Sequence, residues 1–214
     1  MESTYRSSLA RSPDNFGVYS TVFNRFNRWS KLGHWKKIFD ALKVDGDDEW
    51  NFIDATIVKA HQHASGAASS TNEAEAIGKS VAGNTTKIHM LADANGNPIH
   101  FELTGGQVHD SKKANALIDV SSAESLMADK AYHSEEIRGK LEDKNIQAVI
   151  PIKENSVNKS NPGFDAHLYK LRHLVENLFA RLKHFRSIAT RYEKTARNFA
   201  SMLYLGCAFI WSNL

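Results

Sequence analysis

Cysteine is almost missing from this sequence. Cys207 is the single copy, so no disulfide can form within the chain, and a reducing compartment is the natural setting. Proline is scarce at 4 and glycine stands at 12 among 214 residues, which excludes collagen-like and largely disordered chains. No apolar run approaches the ~20 residues of a membrane span; the longest, Met202 to Trp211, is about half of that. The opening Met1-Glu2-Ser3-Thr4-Tyr5 lacks the apolar core of a secretion signal, and no repeat recurs at a period of ~20–50 residues. A soluble, intracellular protein with no membrane partner is the expectation. With 42% hydrophobic and 24% charged residues the composition is globular, sized for one domain with a small extension.

Charge of one sign is also not abundant overall, at +3. Its placement is uneven. Between Lys170 and Arg197 there are eight Lys/Arg against two acids, whereas Met1 to Trp50 is nearly balanced. The positive charge sits in one C-terminal block.

Residues 1–17 are polar and aperiodic and read as an unstructured leader. Val22, Phe26 and Trp29, then Trp35, Ile38, Phe39 and Leu42, recur at helical spacing on either side of Gly33. They predict a helical pair within an N-terminal segment over 18–46, with Trp29 and Trp35 as core residues. Residues 47–214 form the main domain. Phe52 to Val58 reads as a strand buried on both faces, and 64–84 as a long flexible loop. Segments 87–91 and 99–103 flank Asn95-Gly96, a hairpin signal. Asp110 and Ser134 are placed to cap helices, 125–128 and 148–150 read as short strands, and 154–165 as a polar loop. A long helix is predicted over His167–Phe185 and a buried one over Thr195–Trp211, with Cys207 in the core. Strands alternating with helices after an antiparallel start imply an α/β fold with a mixed sheet.

Three carboxylates stand out by position. Asp54 interrupts an apolar strand, where its charge must be compensated, a metal ion being one candidate. Asp129 lies where a short strand gives way to a loop, the edge that lines ligand crevices in open α/β sheets. Glu176 shares a helical stripe with Tyr169, Arg172 and Lys183, beside the apolar stripe of Leu168, Leu171, Val175, Leu178 and Leu182. Each also has a plain structural explanation: a turn cap, a loop start, an i,i+4 pair with Arg172. Taken together, three carboxylates from two strands and a helix suit Mg²⁺ and phosphodiester chemistry, with the neighbouring cations on phosphates.

Tyr169, Arg172, Glu176 and Lys183 form the pattern Tyr-x2-Arg-x3-Glu-x6-Lys. With Ile53-Asp54-Ala55-Thr56, Met127 to Tyr132, and Ile188 to Lys194, they resemble the DDE transposases of bacterial insertion sequences, in the insertion-sequence-five group. The likeness runs from about Val18 to Leu214. It implies a ribonuclease-H-like core with a mixed five-stranded sheet flanked by helices, preceded by a short helical segment. It implies a metal-binding catalytic triad of Asp54, Asp129 and Glu176 using two Mg²⁺, with Mn²⁺ as a substitute. The implied activity is cleavage at the element's ends and transfer of the freed 3′-hydroxyls into target DNA. Tyr169, Arg172, Lys183, Lys79, Lys130, Arg186 and Arg191 would contact the DNA, and the Ile77–Thr86 loop would approach it. Further implied are double-stranded DNA as partner, both terminal inverted repeats and target, a homodimer assembled on it, and a cytoplasmic, nucleoid-associated location.

Relatives carry a further helical segment upstream of Val18, so a separately encoded N-terminal segment is an implied partner. A catalytically inactive, DNA-binding remnant that inhibits or pairs with intact transposase is the alternative, and a general nuclease on the same core a third. His61-x-His63 lacks a supporting Cys pair or helical His-x3-His, and the adjacent His109, Asp110 and Ser111 cannot form a hydrolase triad.

Overall fold

The computed structural model describes residues 17–43, 46–64, 71, 74–156, 161 and 164–213. Apart from Gly17, the expected leader lies outside the described residues, as do Val44 and Asp45 and parts of the 64–84 and 154–165 loops. In chain order the helices are α1 (Tyr19–Lys31), α2 (His34–Leu42), α3 (Ala114–Val120), α4 (Glu135–Asp143), α5 (Ala166–Lys170), α6 (His173–Lys183), α7 (Arg186–Ala189) and α8 (Ala196–Trp211). The strands are β1 (Trp50–Ala60), β2 (Gly78–Ser80), β3 (Gly83–Ala92), β4 (Pro98–Gly105), β5 (Ser125–Ala128), β6 (Gln147–Val149) and β7 (Thr190–Arg191).

These seven strands fill five positions of one mixed sheet. β1, β3 and β4 form an antiparallel meander, and β5 and β6 add parallel to β1. Thr85 pairs with both Lys59 and Gly78, so β2 sits end to end with β4 on the far side of β3. Lys59 pairs with both Thr85 and Thr190, so β7 sits end to end with β5 beside β1. This is the five-position mixed sheet flanked by helices that the ribonuclease-H-like resemblance implied. The short β2 and β7 are additions to it, and β2 replaces part of what the sequence presents as loop.

Alternation along β1 divides the core. Phe52 and Val58 face α6 and α8 in the larger cluster, with Ile88, Met90, Val175, Leu178 and Phe199. Ile53 faces the other way, with Leu91, Leu117, Leu126, Ile137 and Leu141 under α3 and α4. Cys207 is fully buried, as its apolar helix predicts. β1 is not buried throughout: from Asp54 to Ile57 it is partly or fully exposed. The reason is the length of its neighbours. β5 ends at Ala128 opposite Ile53, and β7 begins only opposite Lys59. Between them β1 has no strand on that side, and a notch opens in the sheet.

The β3–β4 turn follows the Asn-Gly signal. Asp93 Oδ1 accepts from the amides of Asn95 and Asn97 at 3.0 and 2.6 Å. Gly96 takes φ +76°, and its position is crowded, since a Cβ there would lie 3.0 Å from Leu174 Cβ. Ser134 caps α4 through Ile137 N–H (3.2 Å) and Thr195 caps α8 through Asn198 N–H (3.3 Å).

Four further expectations differ from the structure. Asp110 does not cap its helix; His109 Nδ1 takes the Ser111 amide, while Asp110 is drawn to Lys87 Nζ at 2.6 Å. The long helix is two helices. The chain tightens to i→i+3 hydrogen bonds at Leu171 N–H to Leu168 O (2.9 Å) and Leu174 N–H to Leu171 O (2.9 Å), splitting α5 from α6 where the Gly96 turn presses against Leu174. The Ile77–Thr86 segment is a hairpin, not a loose loop, because Thr86 Oγ1 donates to Ala76 O at 2.7 Å and Ile77 is buried beside Ala60 and Ala64. Trp29 and Trp35 are half-exposed and pack on each other, ring centroids 5.1 Å apart, because α1 and α2 meet the body of the protein along α8, with Phe39 against Tyr204 and Asn27 accepting from Asn198 Nδ2.

His89 is fully buried on β3, its Nε2 2.8 Å from Thr104 Oγ1. Burial pushes its pKa down to about 4 from 6.5. The unfolded chain therefore takes up a proton that the fold refuses. Stability should fall by about 3 kcal/mol as pH drops from 6.5 towards 4. Urea unfolding across that range checks this, and His89→Gln should flatten the slope.

Candidate active site

The notch places the carboxylates. The register that pairs Ile53 with Ala128 brings the next residues together: Asp54 on β1 and Asp129 just past the end of β5, at the point where the two strands part. Asp54 and Thr56 share the face of Phe52 and Val58, the face that α6 crosses. From the N-cap of α6, Arg172 reaches across. Its Nη1 lies 2.8 Å from Asp54 Oδ2, and its Nη2 bonds Glu176 Oε1. One guanidinium thus joins two carboxylates that are 122 positions apart in the chain only by tertiary structure, as Asp54 and Glu176. Lys183, at the far end of α6 and about three turns from Arg172, donates to Thr56 Oγ1 at 2.6 Å.

The plain structural roles are also present, on other atoms. Asp54 Oδ1 accepts from Ala55 N–H at 2.8 Å, and Asp129 Oδ1 accepts from Ala131 N–H at 3.2 Å, capping a one-turn 3₁₀ segment over Lys130–Tyr132. Arg172–Glu176 is the i,i+4 pair the spacing allows. Burial raises the pKa of Asp54, helped by Asp129 and Glu176 and opposed by the Ala55 amide and Arg172. Burial lowers the pKa of Lys183. The Arg172 pKa is raised: the carboxylates of Asp54 and Glu176 outweigh the opposing effect of its burial.

Among the described residues, no three His, Cys, Asp or Glu side chains gather closely enough to hold a metal ion. At this site a guanidinium stands between Asp54 and Glu176. The donor set nevertheless fits a hard divalent cation: all oxygens, a partly buried pair of aspartates, and an exposed glutamate already drawn towards the same positive centre.

The other expected DNA contacts fall in different places. Tyr169 is half-buried, its ring 5.6 Å from that of Phe164. Lys130 is exposed and 3.4 Å from Glu154, and Arg186 is exposed at the start of α7. Lys79 is exposed but pairs with Asn84, six residues along β3 from the Met90 that faces Asp54, about 20 Å away. Arg191 must be corrected. It is fully buried, donating to Glu75 O (2.8 Å), Thr86 Oγ1 (2.8 Å) and Glu193 O (2.9 Å), with its guanidinium over the Phe199 ring. Burial pushes its pKa down to about 10. It ties β7 to the segment before β2 and has no face left for phosphate, and a count of basic residues cannot reveal which way each one points. His61 stacks on Tyr192 (4.8 Å) without a metal-binding companion set among the described residues.

Sequence reasoning missed Tyr132. It is 1% exposed, three residues after Asp129, and its hydroxyl has no hydrogen-bond partner among the described residues. Burial raises its pKa well above the ordinary value, and the charges of Asp54, Asp110 and Asp129 add to this. Its place in the Asp129 segment was the one available signal. Two expectations follow. Arg191→Ala should cost at least about 3 kcal/mol of stability, read in chemical unfolding, because it orphans several buried acceptors. Tyr132→Phe, in contrast, should leave the melting temperature equal or higher, since it removes a buried unpaired hydroxyl and keeps the ring.

A family model described as the transposase DDE domain matches residues 46–211. A Brucella ovis protein named as a candidate transposase for insertion sequence element IS6501 is 38% identical over 128 residues, 59% of this chain and 98% of that protein. A Burkholderia cepacia counterpart for element IS402 is 34% identical over 142 residues, 60% of this chain; the aligned part is 64% of that protein's length. Among solved structures, the Mos1 mariner paired-end complex with Mn is matched over 97% of this chain and 73% of that one, at 12% identity and a TM-score of 0.36. The Mos1 strand transfer complex gives 11% identity, coverage of 97% and 72%, and a TM-score of 0.34. Likenesses that loose carry no argument about the site.

Proposed function

The chain belongs to the transposase DDE domain family, and from that premise we propose that Asp54, Asp129 and Glu176 are the metal-binding catalytic carboxylates of a DNA transposase of the insertion-sequence-five group. The observation that carries this reading is the neighbouring register of Asp54 and Asp129 at the notch, with Glu176 linked to the same place through Arg172. Mg²⁺, or Mn²⁺ in its place, would supply Lewis acidity that activates a water or a 3′-hydroxyl and eases departure of the leaving oxygen. The three carboxylates would hold it. Arg172 and Lys183, on the same helix face, would grip phosphates of the element's end, and Tyr169 would pack against a terminal nucleotide. Lys130, one residue after Asp129, and Arg186, three residues after Lys183, are both exposed and would add phosphate contacts. The substrates would be the element's terminal repeats and target DNA, held by two copies of the chain.

A second reading draws on the closed state of the site. With Arg172 seated between Asp54 and Glu176, the chain could bind DNA without cutting it and act as an inhibitor or partner of an active copy. Cleavage of a duplex carrying an element end, followed in Mg²⁺ and in Mn²⁺, separates the two. Wild type should nick and join, and Asp129→Asn should lower the rate at least about a hundredfold while its thermal unfolding stays cooperative. Full activity in that variant would overturn the catalytic assignment. Salt-dependent DNA binding without nicking would select the non-catalytic reading.

A further inference from the structure

The Arg172 guanidinium is doubly engaged and only 21% exposed, and Asp54 beneath it is 17% exposed. The bond to Asp54 is charge-assisted and partly desolvated, which makes it strong; the bond to Glu176, whose side chain is 54% exposed, is weaker, and both occupy lone pairs that a metal ion between the two carboxylates would use. A divalent ion entering between Asp54 and Glu176 must displace the guanidinium. An arginine cannot leave by losing its proton, so it must find another anion. Within this face the anion at hand, on the function proposed above, is a DNA phosphate.

We propose that Arg172 is a counterion latch: in the DNA-free protein it neutralises Asp54 and Glu176, and a DNA phosphate takes it over, so that metal binding and DNA binding are positively coupled. The proposal rests on the assignment of Asp54 and Glu176 as metal ligands. It follows that the free protein binds a divalent ion weakly and that duplex DNA strengthens the binding. By reciprocity, the ion strengthens DNA binding by the same factor. The arrangement would keep a nuclease site unloaded until its substrate is in place. Lys183 provides the contrast, because it carries the same charge on the same helix face but rests on the Thr56 hydroxyl and bridges no carboxylates.

The test is Mn²⁺ binding to the full chain, by calorimetry or by the loss of the free-ion spin signal, with and without a short DNA duplex. Wild type should bind Mn²⁺ about tenfold more tightly when DNA is present, within the usual range of such couplings. Arg172→Ala, with Arg172→Gln as a second variant that keeps more of the side-chain packing, should bind Mn²⁺ about tenfold more tightly than wild type without DNA. Either variant should gain little on adding DNA. Lys183→Ala should shift DNA-free Mn²⁺ affinity far less. Unchanged or weaker DNA-free Mn²⁺ binding in both Arg172 variants would overturn the latch. In the Arg172→Ala background, Asp54→Asn and Glu176→Gln should each abolish the tight binding. Should it survive both, the ligand assignment itself is wrong, an outcome distinct from failure of the latch alone.

Discussion

A carboxylate on a strand that loses its neighbour is the constraint from which the rest of the site follows. β5 is only four residues long and stops opposite Ile53, so β1 runs on past Asp54 with one edge open. An aspartate in the middle of a complete sheet would be buried without compensation. At the notch it is reached by water on one side and by α6 on the other. Arg172 then answers the charge directly, and the same guanidinium draws in Glu176. The split between α5 and α6 belongs to the same construction, because the tightened turn lies at residues 171–172 and fixes where the arginine starts.

Two arginines in the basic C-terminal block show how differently one residue type is used. Arg172 is half-buried between acids and faces the opening of the site. Arg191 is enclosed by backbone carbonyls, a threonine and an aromatic ring, and it holds the edge of the sheet together. In the linear sequence they differ little, each being a cation beside an aromatic or an apolar residue. The difference is made by β7, which pairs Arg191 with Ala60 and turns its side chain inward while Tyr192 turns out.

Much of this is legible in the sequence. The hairpin centred on Asn95-Gly96, the cap at Ser134, the short strand before Asp129 and the apolar last helix all follow from local signals of one or two turns. The Tyr169–Lys183 spacing pointed to one helix face, and Arg172, Glu176 and Lys183 do meet β1 from it. What local signals misread were elements whose state depends on distant contacts. Residues 78–85 pair because Arg191 and Thr86 hold the chain beside them. Trp29 and Trp35 stay half-exposed because the helical pair rests on α8 by one edge. Asp110 serves Lys87 rather than its own helix.

By itself, the order of residues determined the alternation of strands and helices, the turn chemistry, and which carboxylates were out of place, since propensity, capping and periodicity act over a few residues. Tertiary structure alone decided that Asp54 and Asp129 stand at one level, that a single guanidinium joins Asp54 to Glu176, and that Arg191 is walled in. Those outcomes depend on strand register and on desolvation, which arise only when segments far apart in the chain are packed against one another.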